Sequence, residues 1–367
     1  MNRNRLSLTF SRYVFWHLMT RVLTYLFLLM LLISIIDIAE LFRRVGDKEG
    51  ISFLTVLIMQ GVKTPSTIPF LLPFSVLFGA MHSFHSLRNQ NEIVIARTSG
   101  LSLFKLMIPP MIFAFVYAVF ALVVVDPVSS ATSQRYDVME KKIFGSGGRN
   151  LTVSTDGIWF RDQNNTFATI IHGDGVDGTV AEVINPVIYV FDKNNRILNR
   201  YYPEKMSLKD KYWEVNGGVM MGPAGRVTSL DTAQIDTTLT RRDLNHSNKR
   251  PETIALISLW GYISVLERTG LPSLGHESYF YSKLALPFVL IGMVMIAGRF
   301  TLILTGRRRA THLIVFSIVF GVLFYFLNDF LYVMGTTGRL PPIIAGLAPG
   351  MIMSVLGTGM LIRADEF

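Results

Sequence analysis

The 367-residue chain contains no cysteine. Disulfide staples and thiolate chemistry are excluded, and the redox compartment cannot be read from cysteine usage. Charge is scarce: Asp, Glu, Lys and Arg make up 17% of the residues, where soluble domains carry about 25%. The short signatures of common catalytic machines are missing too. There is no G-x-x-x-x-G-K-[ST], no H-E-x-x-H and no G-x-S-x-G, so nucleotide cradling, zinc proteolysis and elbow-type hydrolysis have no carrier. The segment GSGGRN at 145–150 is glycine-rich but lacks the lysine and a preceding strand, and reads as a loop. We therefore expect no catalytic residue, metal or cofactor in this chain.

What is present is apolar. Hydrophobic residues make up 50% of the chain and aromatics 12%, with a mean hydropathy of +0.40. Runs long enough to cross about 30 Å of hydrocarbon, roughly 20 residues each, occur near 15–36, 64–83, 103–125, 279–298, 311–331 and 340–362. These are six candidate spans in two groups of three. The first has the basic flank of a signal peptide (Arg3, Arg5, Arg12) but continues to Ile38 without a small-x-small cleavage site, so an uncleaved helix is expected.

Charge sets the expected orientation. Pro127 to Glu277 carries 17 basic and 17 acidic residues, so the whole net charge of +9 belongs to the apolar remainder. Its basic residues cluster at the N-terminus, around 88–105, and at Arg299, Arg307, Arg308 and Arg309. With six spans these places share one side, which the positive-inside rule makes cytoplasmic. Both termini are then cytoplasmic, and 127–277 lies outside. A nucleic-acid partner is not expected despite the pI of 9.7, because the basic residues follow topology and form no continuous patch.

The 127–277 segment also has a different texture. Short β-branched and aromatic runs (GIWFRD, NPVIYVFDKNNRILNRYY, DKYWEVNGGVMM) alternate with Gly, Asn and Asp turns, the pattern of antiparallel strands in a sandwich or jelly roll. Helical connectors are expected at 133–145 and 253–270. The expected organisation is helices one to three in 1–132 with a short surface helix at 84–98, a β domain with its connectors in 133–277, and helices four to six in 278–367.

Three further signals concern chemistry. His82 and His85 lie i, i+3 on one helix face but have no third ligand in view, and Asp174 and Asp177 fit a β turn better than a calcium loop. At the end of span one, Asp37, Glu40, Arg43 and Arg44 stand at helical spacing, so Glu40 reaches both arginines in a local ion-pair strip. Guanidinium pairs bidentately with phosphate, so this strip is either a snorkelling interfacial cluster or a site for anionic groups. Between spans two and three, NQNEIVIARTSG (89–100) offers Leu87, Ile93, Val94 and Ala96 as an apolar face and Arg88, Asn91, Glu92 and Arg97 as a polar one. It reads either as an interfacial turn or as a docking knob for a soluble partner.

The order three helices, β domain, three helices, together with NEIVIARTSGLS after span two, resembles the LptF/LptG family of lipopolysaccharide-export permeases. GIWFRDQNNTFATI, IYVFDKNNRI, KYWEV and LPPIIAGLAPG also look like that family, and the similarity covers essentially the whole chain. The acidic residues followed by Arg43-Arg44-Val45-Gly46 look more like the LptG branch. The resemblance implies a membrane α-helical protein of the bacterial inner membrane with an inserted periplasmic β-jelly-roll. It implies pairing with an LptF-like permease on a dimer of the LptB ATPase, which would bind the ATP, and transfer of lipopolysaccharide to LptC and LptA. By motif match, Arg88, Glu92 and Arg97 would form the ATPase-coupling helix, and Arg43 and Arg44, with Asp37 and Glu40 beside them, would meet substrate phosphates. Asp37 stands where some relatives carry lysine, and the resemblance implies that an acid there repels phosphate.

Two rival readings make different demands. A mechanotransmission subunit that moves no lipid calls for a closed, narrow space between the helix triplets. A membrane enzyme calls for a deep polar pocket within 150–250.

Overall fold

A computed structural model describes residues 3–46, 52–98, 102–144, 158–163, 168–173, 175–177, 182–191, 197–209, 212–222, 226–237, 250–268, 272–303 and 309–365. The chain divides into two compact units. One comprises 1–140, 252–257 and 274–367, and the other 141–251 and 258–273.

The first unit is helical. Helix α1 (Arg3–Val45) has 43 residues, about 65 Å at 1.5 Å per residue, so it overruns a bilayer's hydrocarbon at both ends. Helix α2 (Phe53–Asn89) begins where Ser52 Oγ accepts from Leu54 N. It remains one helix through Pro65, Pro69 and Pro73, which share one side at i, i+4 spacing. A turn at Gln90 and Asn91 leads to α3 (Glu92–Thr98). Helix α4 (Leu103–Phe120) runs through a π-helical turn, Ala121–Val125, into α5 (Asp126–Phe144).

After the β unit come α6 (Leu256–Arg268), α7 (Leu274–Leu284), α8 (Leu286–Ile303), α9 (Arg309–Thr336) and α10 (Pro342–Asp365). Among the described residues five helices are long and apolar enough to span a membrane, and a sixth span arises if α7 and α8, bent by 47°, are counted together. The expected fourth span is therefore a broken helix, with Pro287 next to the break.

Small residues let these helices approach closely. A Cβ on Gly79 of α2 would lie 2.6 Å from the Val22 Cα of α1. Gly346 and Gly350 of α10 lie against Ser282 N and Ala285 O, where added carbons would come within 2.7 and 2.8 Å. This small-xxx-small contact is how membrane helices gain van der Waals packing without a hydrophobic driving force. The core of the unit joins Leu18 and Val22, Val76 and Phe84, Met107 and Ala114, and Leu290 and Met293.

Among the described residues the second unit holds eleven strands: β1 (Ile158–Gln163), β2 (Ala168–Gly173), β3 (Gly175–Asp177), β4 (Glu182–Ile184), β5 (Val187–Phe191), β6 (Ile197–Tyr202), β7 (Lys205–Leu208), β8 (Tyr212–Asn216), β9 (Val219–Met221), β10 (Val227–Ser229) and β11 (Thr232–Asp236). They form two sheets, ordered β1-β2-β5-β6-β9-β10 and β11-β8-β7-β4-β3, and the registered pairs are antiparallel. Period-2 alternation fixes which side is buried. Ile171 opposes Ile188 in one sheet, and Met206 opposes Val215 and Leu208 opposes Trp213 in the other, all of them buried. The turn after β8 needs glycine at Gly218, where φ is +102° and a Cβ would fall 2.1 Å from Tyr202 O.

Two expectations change in detail. The surface helix expected at 84–98 is split: 84–89 is the end of α2, and only Glu92–Thr98 forms α3. The cause is Asn91 at φ +60°, a left-handed residue that ends a helix and that Asn tolerates better than most. The expected boundaries at 132/133 and 277/278 fall inside α5 and α7, which run straight through them.

Candidate functional site

Three polar clusters stand out in the helical unit. The first surrounds α3. Ile93 and Ala96 are buried, together with Leu87 of α2, which seats the short helix against the bundle. Val94 and Ile95 are 51% and 61% exposed, so Val94 lies on the outward face and not on the buried one. Glu92 accepts a hydrogen bond from Tyr13 OH of α1 at 3.1 Å, and its other oxygen is buried without a partner. Arg88, at the end of α2, donates to the Thr301 carbonyl of α8, one of the last carbonyls of that helix and in need of a donor. Arg97 sits on α3, but its side chain lies outside the described residues. The junction of α2 and α3 is thus tied to span one through Glu92 of α3 and to span four through Arg88 of α2.

The second cluster lies at the other end of α1. Glu40 holds Arg43 through two bonds of 2.8 and 2.9 Å, but Arg44 turns away to Glu140 of α5 at 2.9 Å. Asp37 bonds to Lys63 Nζ of α2 at 2.8 Å, and Lys63 lies 5.9 Å from the Tyr136 ring centroid. The local strip expected along α1 is therefore a cluster joining α1, α2 and α5. Asp37 is not a free repelling acid, because it neutralises Lys63. The Glu40–Arg43 side chains are 48% and 77% exposed, so that pair contributes little to stability.

The third cluster was not anticipated. Asp126, the first residue of α5, places Oδ1 2.5 Å from Lys283 Nζ of α7 and accepts from Leu256 N at 2.7 Å through Oδ2. Exposure of the two side chains is only 3% and 10%. Removing one member of such a buried pair typically costs about 3–5 kcal/mol, because the other charge is left uncompensated. One signal was available: Lys283 falls inside a predicted span, and an ionisable group there needs a partner. The partner, 157 positions away, could not be named from spacing.

His82 and His85 are each engaged by a neighbouring side chain. His82 Nδ1 bonds Tyr25 OH and His85 Nε2 bonds Asn89, each at 3.0 Å, and no group of three His, Cys, Asp or Glu suited to a metal occurs among the described residues. His82 and His85 instead line a cavity of about 610 Å³ between α1, α2 and α9, whose walls include Leu28, Leu32, Phe78 and Ile314.

The family model described as "Lipopolysaccharide export system permease LptF/LptG" matches residues 12–363. The chain belongs to the LptF/LptG family. This permease is 26% identical to the lipopolysaccharide export system permease protein LptG of Haemophilus influenzae, covering 98% of the chain and 99% of that protein. It is 23% identical to the protein of the same name from Escherichia coli K12, covering 96% and 98%. Both relatives carry the LptG name, as the Arg43-Arg44-Val45-Gly46 segment led us to expect. Family and apolar helices together make the permease a multi-pass inner-membrane transport subunit of lipopolysaccharide export.

Proposed function

We propose that the permease is the membrane half of an ATP-driven extractor that lifts lipopolysaccharide from the inner membrane and passes it to a periplasmic bridge. In this reading α3 faces the cytoplasm and docks on a separate LptB-type ATPase dimer, an LptF-like permease supplies the other half of the pathway, and LptC and LptA receive the lipid. The β unit is then periplasmic and both termini are cytoplasmic. The observation that carries the reading is the build of α3. The seven residues are fastened to span one at Glu92, and the end of α2 that leads into them is fastened to span four at Arg88, while Val94 and Ile95 point outward. A soluble partner pressing on that apolar face moves α1 and α8 together. The cavity of about 610 Å³ joins both helix triplets and suits alkyl chains, which favours lipid movement over a closed transmission subunit.

Glu92→Ala is expected to leave membrane insertion intact, weaken co-purification of the ATPase and reduce export. Wild-type association and export would remove Glu92 from the coupling. At the other end, Arg43 and Arg44 are the groups we assign to substrate phosphates. A phosphate exchanges places with the Glu40 and Glu140 carboxylates, so a photo-reactive side chain at position 43 should capture lipopolysaccharide, and clean absence of the adduct would refute the assignment.

A further inference from the structure

We infer that Asp126 and Lys283 are positioning residues of the transport cycle. They fasten α5, α7 and the 252–257 return segment into one lever, which pivots at the π turn Ala121–Val125 and at the break between α7 and α8. The placement of the irregularities carries this inference. Asp126 is the residue directly after the π turn, and Lys283 stands two residues before Ala285, where the chain bends by 47°. Two neighbouring spans therefore lose regular helical geometry at the level of the ion pair that joins them.

These places are compliant for identifiable reasons. π turns and disrupted i to i−4 ladders are where helices bend. The break in span four is not a severed chain, because Ala285 N still bonds Tyr281 O and Val289 N bonds Ala285 O, both at 3.0 Å. A cavity of about 290 Å³ lies alongside, lined by Ala121 and Leu122 of the π turn, by Asp126 and Lys283, and by Leu286 beyond the break. Close-packed interiors resist gradual deformation, and this space gives the two turns room to move.

The parts beyond the turns are held firmly. Both Asp126 oxygens are used, one by Lys283 and one by Leu256 N, and Lys283 also lies 5.0 Å from the Tyr279 ring centroid. Gln134 of α5 adds a second tie to the return segment, donating to Thr253 O at 2.7 Å. Separating the pair would strand a buried charge, so the softer turns yield first. The pair thereby joins the segment through which the chain leaves the helical unit to the segment through which it returns.

The stroke of the lever rests on the ATP-driven reading above, but the pin does not. The cysteine-free chain accepts paired spin labels directly, so the permease is assembled with its partner permease and ATPase and measured with and without ATP and vanadate. Labels at Arg135 and Leu274, both within the lever, should keep their separation. The pairs Val116–Arg135, across the π turn, and Leu274–Phe288, across the break, should change by more than about 2 Å, the scale of helix shifts in switching proteins. Movement within the lever as large as across the turns overturns the proposal, as do fixed crossing distances in a complex that hydrolyses ATP. If no ATP is hydrolysed, the ATP-driven reading fails and the pin is judged by variants. Asp126→Asn and Lys283→Met should each lower the thermal midpoint, and the double variant should recover it while the Arg135–Leu274 distance distribution broadens. Single variants as stable as wild type, or an unbroadened distribution in the recovered double variant, would overturn the pin.

Discussion

Asp126–Lys283 and Glu40–Arg43 are the same chemistry at nearly the same separation, 2.5 and 2.8 Å, in very different surroundings. The first pair is 3% and 10% exposed and joins segments distant in sequence. The second is 48% and 77% exposed and closes within one helical turn. Burial makes the first pair costly to open, and solvent makes the second cheap to exchange. A transporter needs both kinds of contact: parts that keep their relative positions through a cycle, and charged groups that can let go of a neighbour to accept a ligand. Asp37–Lys63 lies between these extremes, at 19% and 30% exposure.

This ranking can be broken by substitution. Lys283→Met should have the largest effect, lowering stability by about 3–5 kcal/mol in denaturant or thermal unfolding of the detergent-solubilised protein. A loss near zero would mean that Asp126 finds another partner. Lys63→Met comes next, at about 1.5–3 kcal/mol for a half-buried hydrogen bond to a charged group, with restoration when Asp37→Asn is added. Arg43→Ala should leave the unfolding midpoint unchanged while reducing lipopolysaccharide capture, and a marked loss of stability would contradict its exposure. The smallest and most diagnostic effect is that of salt. Screening acts on exposed pairs more than on buried ones, so raising ionic strength should alter lipid capture at Arg43 and leave the deficit of Lys283→Met in place.

Much of the architecture was legible because it follows from periodicity and composition. The apolar runs correspond to helices, the alternating runs to strands, and the charged break after span two to α3. The resemblance then turned a general membrane protein into a transport subunit, since nothing in the residue pattern alone specifies lipopolysaccharide. What escaped the sequence is mainly partnership. Arg44 was expected to turn to Glu40, four residues away, yet it bonds Glu140, 96 positions on. Helical spacing describes neighbours on one element and is silent about the element packed alongside. The π turn was equally hidden, because Ala121–Val125 reads as uninterrupted apolar sequence, and a one-residue widening leaves the composition of a helix unchanged. Asn91 lay in plain sight, but its left-handed backbone had to be seen before the expected helix could be divided.

The glycines of α10 give the bend in span four a further meaning. Gly346 and Gly350 bring the backbone of α10 against Ser282, just before Lys283, and Ala285, at the break itself. Backbones this close cannot shift independently, so any change of bend in the fourth span has to be accompanied by the sixth. A bulkier residue at either glycine would meet the backbone of a helix that it does not belong to, within 2.8 Å, and force the two apart.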